Sequence, residues 1–275
     1  MKNRIAFIGG GNMTRAIVGG LIDSGADPAT ISISEPLEAA RVQLGEDFPG
    51  VQIDADNSAV AASADCVVLS VKPQVLEEVC RDLAPAVQNG GPLVVSIAAG
   101  TLGSDIDAWL GGGLSVVRVM PNQPALLRMG VSGLQANDKA TLEERQRAIE
   151  IMQAVGSVVE VETEADIDAV TAVSGSGPAY FFLFIDQLAA TGVDLGLDAD
   201  AARLLAIETA RGAAELAAQT DASMSELIAR VRSPGGTTAA ALDSLEGADV
   251  RGIFAAAITA ARDRAVELAD AATKG

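Results

Sequence analysis

Three successive glycines near the start of the chain could bring backbone N–H groups against phosphate. Gly9, Gly10 and Gly11 follow the apolar run at residues 4–8 and precede a segment of helical periodicity at residues 16–22. This order predicts a strand, a glycine turn and a helix. In such a turn the first glycine bends the chain, the second admits a pyrophosphate, and the helix N-terminus supplies N–H donors and partial positive charge. We therefore expect a dinucleotide site at Gly9 and Gly11, with a merely structural glycine turn as the alternative.

Two further residues bear on this site. Thr14 stands at the third position of the fingerprint, where glycine or alanine is usual, so we expect the helix to pack less closely on the strand. Glu35 follows the next predicted strand, at residues 31–34, where an acid can accept hydrogen bonds from an adenosine ribose. A carboxylate there repels a 2′-phosphate. Glu35 therefore favours NADH over NADPH, unless it turns away and a cation such as Arg41 compensates.

A second glycine turn, at residues 233–238, lies between two helical segments. Its proline and glycines end the first helix and expose N–H groups, and Thr237 and Thr238 open the next helix. Such a turn can hold a carboxylate or a phosphate, and Ser233 adds a hydroxyl donor. The alternative is an ordinary corner between helices with threonine caps, and the residues alone leave both interpretations open.

The elements that must position these turns fall into two groups. Short β-rich segments alternate with helical patterns through the first half, which predicts an α/β fold with a Rossmann-like doubly wound sheet. From residue 164 onward the patterns are helical and alanine-rich. We therefore expect a dinucleotide-binding domain at residues 1–163 and an all-helical domain at residues 164–275. The predicted strands are residues 4–8, 31–34, 66–69, 93–97, 115–120, 131–135 and 158–162.

One segment of the helical domain is apolar on every side. Residues 180–185 contain Tyr180, Phe181, Phe182 and Phe184, in a chain that has few aromatic residues. A helix that is hydrophobic all round is buried. This segment is therefore expected in the core of its own chain or in an interface between subunits, and stacking on a cofactor is the alternative.

Composition excludes several classes of function. The net charge of −18 and pI of about 4.3 repel a phosphate backbone, so we expect no nucleic-acid partner. Histidine is absent, which excludes histidine-dependent triads and histidine-ligated zinc. Cys66 and Cys80 lack metal-site spacing, so we expect no metal and two buried free thiols. With no signal peptide or bilayer-length apolar run visible, these thiols suit a soluble cytoplasmic protein without membrane partners.

The missing histidine also bears on the chemistry. A redox cofactor in the first half needs a small acid or carbonyl-like substrate held against it by the second half. Reduction of a carbonyl usually needs a proton donor, and by position only Lys72 and Tyr180 are candidates. An already protonated imine carries its own proton, so the sequence mildly favours an imine over a ketone.

Taken together, the motifs resemble those of the pyrroline-5-carboxylate reductases. The resemblance runs in order across nearly the whole chain, and its last two stretches are quite specific to that family. The matching stretches are FIGGGNM at 7–13, SVKPQ at 70–74, SIAAG at 96–100, RVMPN at 118–122, DAVTAVSGSGPAYF at 168–181 and SPGGTT at 233–238.

The resemblance implies the last step of proline synthesis, in which NADP(H) or NAD(H) reduces 1-pyrroline-5-carboxylate to L-proline. It implies a homodimer formed through the helical domain, often built into a ring of dimers. Thr238 would be catalytic through a hydrogen bond to the ring nitrogen. The substrate-binding residues would be Ser233, Gly235, Gly236, Thr237 and Asn122. The coenzyme-binding residues would be Gly9, Gly11, Asn12, Met13, Glu35, Asn57, Val71, Lys72, Pro73 and Ala98.

One departure and two alternatives complete the interpretation. Gln123 stands where the family commonly has threonine, which changes the local hydrogen bonds on the nicotinamide side. A related imine or β-hydroxyacid dehydrogenase is one alternative. The β-hydroxyacid dehydrogenase reaction needs a lysine as general acid and base, and residues 165–192 contain no lysine. A non-catalytic dinucleotide-binding regulator is the other, and it leaves the turn at residues 233–238 unexplained.

Overall fold

The computed structural model describes residues 4–274, with side chains described for residues 4–269. The chain divides into two compact units. The first extends to Ser176 and includes the chain from Ala261 onward, and the second is Gly177–Ala260. The domain boundary predicted between residues 163 and 164 stays a prediction, and the compact units divide somewhat later.

The first unit is built on one sheet of eight strands in the order β3-β2-β1-β4-β5-β6-β7-β8. Neighbouring strands are parallel except β6 and β7, which are antiparallel. The strands are β1 (Ile5–Ile8), β2 (Ile31–Ser34), β3 (Gln52–Asp54), β4 (Cys66–Leu69), β5 (Leu93–Ser96), β6 (Val116–Met120), β7 (Gly130–Ala136) and β8 (Gly156–Glu160).

Helices of the first unit connect these strands. They are α1 (Asn12–Asp23), α2 (Glu38–Asp47), α3 (Asn57–Ala61), α4 (Pro73–Gly90), α5 (Gly103–Trp109), α6 (Leu142–Gln153) and α7 (Glu164–Val170). A π-helical segment at Thr171–Gly175, here called the π-turn, follows α7 directly.

The core lies on both faces of the sheet, as a doubly wound fold requires. Phe7 and Val68 belong to one apolar cluster, whereas Ala6, Ile8 and Val67 belong to another. The alternation along each strand follows from its two-residue repeat. The expected fold class is therefore confirmed. Strand β3 and helices α3 and α5 were not foreseen, because each is too short to show a clear period.

The second unit is helical. Its helices are α8 (Gly177–Asp194), α9 (Ala199–Ala218), α10 (Met224–Val231), α11 (Thr237–Gly247) and the first part of α12 (Val250–Lys274). Among the described residues, no helix combines the length and apolar character that a bilayer crossing requires.

The aromatic segment of α8 is not buried in its own chain. Phe181 is 66% exposed and Leu183 is 61% exposed, although the Phe184 ring stacks on Phe254 at 5.2 Å. The expectation of a core position is therefore wrong, and the alternatives of a subunit interface and of stacking on a cofactor stay predictions. An apolar helix face of this size is a typical association surface.

Candidate active site

The first glycine turn is packed tightly at its start. Gly9 has a φ of +105°, and a Cβ there would lie 2.9 Å from the Ser70 carbonyl oxygen. A Cβ on Gly10 would lie 2.6 Å from the Leu44 side chain. Ser70 follows β4, so the turns after β1 and β4 meet at the point where the strand order reverses. Ligands of doubly wound sheets bind at such a switch point.

The end of the same turn is open. Gly11 is exposed, and among the described residues no atom lies within 4 Å of the place a Cβ would take. Gly11 is also the N-cap of α1, and no described side chain caps that terminus. The N–H groups of the first helical turn, at Asn12 and Met13, therefore have room for an anion.

Thr14 joins the turn to the helix. Its hydroxyl donates a hydrogen bond to the Gly9 carbonyl at 2.6 Å, and the residue is fully buried. The side chain thus fills the place of the usual glycine and fixes the turn. Helix α1 approaches the chain after α6 closely at Gly20, where a Cβ would collide with the Ala154 carbonyl.

Glu35 is held against the glycine turn. One carboxylate oxygen accepts from the Gly10 N–H at 3.2 Å, and the other accepts from the Leu37 N–H at 3.1 Å. Arg41 donates to the carbonyls of Glu35 and Pro36, at 2.9 and 2.7 Å. The carboxylate is therefore held by two N–H groups, and the Nη1 group of Arg41 makes both bonds to the turn between β2 and α2.

The remaining predicted coenzyme residues follow the next strands of the sheet. Asn57 begins α3 after β3, Val71 to Pro73 lie after β4, and Ala98 lies after β5. The register pairs Ile8 with Leu69 and Leu69 with Ser96, so these parallel strands end in one row. The sheet thus brings the predicted coenzyme residues to a single edge.

Asn122, the predicted substrate contact of the first unit, differs from the rest. It is only 9% exposed. Its side-chain oxygen accepts from the Val131 N–H at 3.0 Å, and its side-chain nitrogen donates to the Ser174 carbonyl at 3.2 Å. Both polar atoms are therefore engaged with the protein backbone.

The second glycine turn lies in the helical unit between α10 and α11. Gly235 has a φ of +70°, and the Gly236 N–H donates to the Ser233 carbonyl at 3.0 Å. Ser233, Gly235 and Thr237 are exposed, and Thr238 is half-buried. The five predicted residues of this turn therefore lie together on an accessible surface.

Gly236 is the N-cap of α11, and within the described part of the chain no side chain caps this helix. Threonine thus does not cap this corner, and the anion site at this turn stays a prediction. Arg232 stands at the other end of the turn, with its guanidinium paired to Asp243 and lying 3.9 Å from Glu246, both on α11. The N–H of the exposed Thr237 is suited to an anion, and the Gly236 N–H beside it donates to the Ser233 carbonyl.

Comparisons with known proteins match both halves of the chain. Residues 164–268 match a family model described as pyrroline-5-carboxylate reductase dimerisation, and residues 4–100 match one described as NADP oxidoreductase, coenzyme F420-dependent. A curated pyrroline-5-carboxylate reductase from Pseudomonas aeruginosa is 45% identical over 97% of each chain. The chain belongs to the pyrroline-5-carboxylate reductase family.

Solved structures agree with this membership. A pyrroline-5-carboxylate reductase from Coxiella burnetii is 41% identical, with a TM-score of 0.93 over 98% of this chain and 99% of that one. A pyrroline carboxylate reductase from Plasmodium falciparum, solved with NADP bound, is 27% identical, with a TM-score of 0.85 over 98% and 99%. The family predicted from the motifs and its reductase activity are confirmed.

Sequence reasoning missed an ion-pair cluster that supports the site. Arg118, in the middle of β6, is 2% exposed, and its guanidinium lies 2.5 Å from Glu164 and 3.6 Å from Asp168. Glu164 also accepts from the Gly103 N–H at 2.8 Å, which closes the start of α5. The signal was a lone arginine in an otherwise apolar strand. Because buried charges need partners, such an arginine predicts acids nearby.

The two thiols lie in the protein interior. Cys66 and Cys80 are free and buried, as expected, and burial raises the pKa of each to about 12. Both therefore stay protonated at neutral pH and are poor nucleophiles. Among the described residues, no group of three histidine, cysteine or acidic side chains could hold a metal ion.

Proposed function

We propose that the chain reduces 1-pyrroline-5-carboxylate to L-proline through the two glycine turns described above. The observation that carries this assignment is the match to the curated reductases, which spans 97% of both chains and so includes both turns. Each turn also precedes a helix whose N-terminus no described side chain closes. Both ligands of the reaction are anionic, so each turn offers the donors that one of them needs.

The residues at the sheet edge fit a nicotinamide dinucleotide. The open space at Gly11 and the uncapped start of α1 suit a pyrophosphate, which Gly9, Asn12 and Met13 would help to hold. Glu35 would accept hydrogen bonds from the adenosine ribose. The edge beyond the next strands would be lined by Asn57, Val71, Lys72, Pro73 and Ala98. When bound, the coenzyme supplies the hydride.

The turn at residues 233–238 would hold the substrate acid. Ser233 and the N–H groups of Gly235, Gly236 and Thr237 would bind its carboxylate, and Thr238 would bond to the ring nitrogen. The hydride adds to the imine carbon, and the C=N electron pair moves to a nitrogen that already carries its proton. No protein acid is then required. The contribution of these residues is to hold the ring in position, which can supply a large part of a rate enhancement.

The coenzyme is proposed to be NADH in preference to NADPH. Two backbone N–H groups hold the Glu35 carboxylate in place. Binding of NADPH would need this carboxylate to turn away and the Arg41 guanidinium to offset its charge. The Nη1 group of Arg41 bonds to the carbonyls of Glu35 and Pro36. A 2′-phosphate at the end of β2 would therefore meet a fixed negative charge.

The assembly is proposed to be a homodimer, with a ring of dimers as a further possibility. The family model that matches residues 164–268 describes a dimerisation domain. The exposed aromatic face of α8, which includes Phe181 and Phe182, supports an interface in this helical unit. A cytoplasmic location is proposed from the two free thiols.

Steady-state kinetics with purified full-length protein tests the assignment. The pyrroline acid is supplied with NADH or NADPH, and both coenzyme oxidation and proline formation are measured. Turnover with proline as product supports the reductase. Coenzyme binding without turnover would instead identify a regulator, and turnover of β-hydroxyacids alone would identify the related dehydrogenase.

A further inference from the structure

The junction between α7 and α8 has a missing hydrogen-bond donor. In a regular helix the Ser174 carbonyl would accept from the N–H of residue 178, but that residue is Pro178, which has none. A proline ring also collides with the carbonyl four residues earlier. At this point the chain forms the π-turn, in which the Ser176 N–H donates to the Thr171 carbonyl at 2.8 Å.

Asn122 supplies the donor that Pro178 lacks. Its side-chain nitrogen bonds to the Ser174 carbonyl at 3.2 Å. The Val131 N–H, which can only donate, fixes the other end of the amide at 3.0 Å and so defines which atom is the oxygen. Each end of this buried amide therefore has a backbone partner, and these two bonds set the orientation of the side chain.

The π-turn and the end of α7 are packed closely against the sheet. A Cβ on Gly175 would lie 2.7 Å from the end of the Met120 side chain, and a Cβ on Gly133 would lie 2.6 Å from Val170. The Arg118 ion pairs hold α7 beside β6. Asn122 thus completes a set of contacts that fixes the π-turn against β6 and β7.

We propose that Asn122 is a positioning residue for the reductase reaction, and that it acts on the π-turn without contacting the substrate. The inference rests on the proposed function. The chain passes from the first compact unit to the second between Ser176 and Gly177, directly after the π-turn. Asn122 therefore fixes the start of α8, the first helix of the unit that carries the turn at residues 233–238. It takes no part in the coenzyme site.

The first test compares Asn122→Ala with a matched control, Asn137→Ala. The Asn137 amide also joins backbone segments: it accepts from the Val116 N–H at 3.1 Å and donates to the Leu114 carbonyl at 3.0 Å. We expect Asn122→Ala to lower kcat/KM for the pyrroline acid about tenfold, with the coenzyme KM changed by less than about twofold. Asn137→Ala should lower the Tm and leave both kinetic constants within about twofold.

Equal kinetic losses in the two variants at equal Tm would overturn the proposal. If Asn122→Ala does not fold, Asn122→Asp takes its place. The aspartate keeps the acceptor for Val131 and removes the donor for Ser174, so the same loss of kcat/KM is expected. A near-normal kcat/KM in Asn122→Asp would also overturn it.

The second test separates positioning from direct substrate contact. Pro178→Ala adds an N–H at position 178 and removes the ring, so Ser174 gains an alternative donor. In this background Asn122→Ala should lower kcat/KM by no more than about twofold, which a double-mutant cycle reports as strong coupling. An undiminished tenfold loss is the result for a direct substrate contact, and it would reject the positioning role.

A third readout needs no activity. Amide hydrogen exchange at Ser176, whose N–H bonds within the π-turn, should be about tenfold faster in Asn122→Ala and unchanged in Asn137→Ala. If the wild-type protein shows no turnover, the proposed function fails, and this measurement still decides whether Asn122 fixes the turn. Unchanged exchange in Asn122→Ala would refute the inference.

Discussion

The two glycine turns look alike in sequence and differ in their surroundings. Each contains glycine with a positive φ, and each leads into a helix that no described side chain caps. In the first turn, Gly9 and Gly10 face backbone and side-chain atoms at less than 3 Å from a Cβ position. In the second, Gly235 has no described atom within 4 Å of such a position. The first turn is packed against the protein at Gly9 and Gly10 and open only at Gly11, whereas Gly235 of the second turn is open.

The two turns therefore differ in whether a glycine is needed for folding as well as for binding. Gly9 is needed for both, because its conformation and its close packing position the loop that faces the ligand. At Gly235 the backbone conformation alone requires glycine. Three other helices contrast with both, since Thr141, Thr163 and Ser223 close α6, α7 and α10 with capping boxes. The hydrogen bonds from Ser223 lower the pKa of Glu226, which completes one of these boxes.

The largest expected effect compares one substitution in both turns. Gly9→Ala forces a left-handed conformation on alanine and places its Cβ 2.9 Å from the Ser70 oxygen, so we expect a loss of about 3 kcal/mol in unfolding free energy. Gly235→Ala has only the conformational penalty, about 1 kcal/mol. Urea denaturation of both variants measures the difference. Equal losses would contradict the distinction between a packed and an open turn.

The next prediction concerns the open end of the packed turn. Gly11→Val meets no described atom within 4 Å, so the chain should fold with a loss of only about 1 kcal/mol from the poorer N-cap. The side chain would project where the pyrophosphate is proposed to bind. We expect coenzyme affinity to fall about a hundredfold, as measured by fluorescence titration. Near-normal affinity would place the pyrophosphate elsewhere.

Local patterns were sufficient to predict much of this architecture. The strand, glycine turn and helix at the amino terminus are adjacent in sequence, and the same holds for residues 233–238. Short strands with continuous apolar runs, such as β4, were also predictable because burial on both faces leaves that pattern. Strand β3 was missed because Gln52 and Asp54 flank a single apolar residue at the sheet edge.

Contacts between distant residues were beyond the reach of such patterns. Asn122 meets Ser174 across 52 positions in the chain, so its structural role could not be inferred from its neighbours. Glu35 was predicted at the ribose, but its bond to the Gly10 N–H joins residues 25 positions apart. In both cases the residue type was noticed, and the tertiary partner that determines its role was not.

A smaller effect is expected in the open turn. Thr238→Ala removes the hydroxyl proposed to bond to the ring nitrogen and should lower kcat about thirtyfold, the range of one hydrogen bond to a charged group. Coenzyme affinity should stay within about twofold, because Thr238 lies in the helical unit. Ser244→Ala removes a hydroxyl from the same helix and serves as the control. An unchanged kcat in Thr238→Ala would remove this residue from the mechanism.

The smallest expected effect tests whether the packed turn also selects the coenzyme. Glu35→Gln keeps an acceptor for the Gly10 N–H and removes the negative charge, whereas Glu35→Ser removes both. If charge alone disfavours the 2′-phosphate, both variants should raise the ratio of NADPH to NADH efficiency about tenfold. If the position of the turn matters as well, Glu35→Ser should also weaken both coenzymes, since Gly10 would lose its partner. Kinetics with both coenzymes decides between these outcomes, and a constant ratio in both variants would show that Glu35 does not face the ribose.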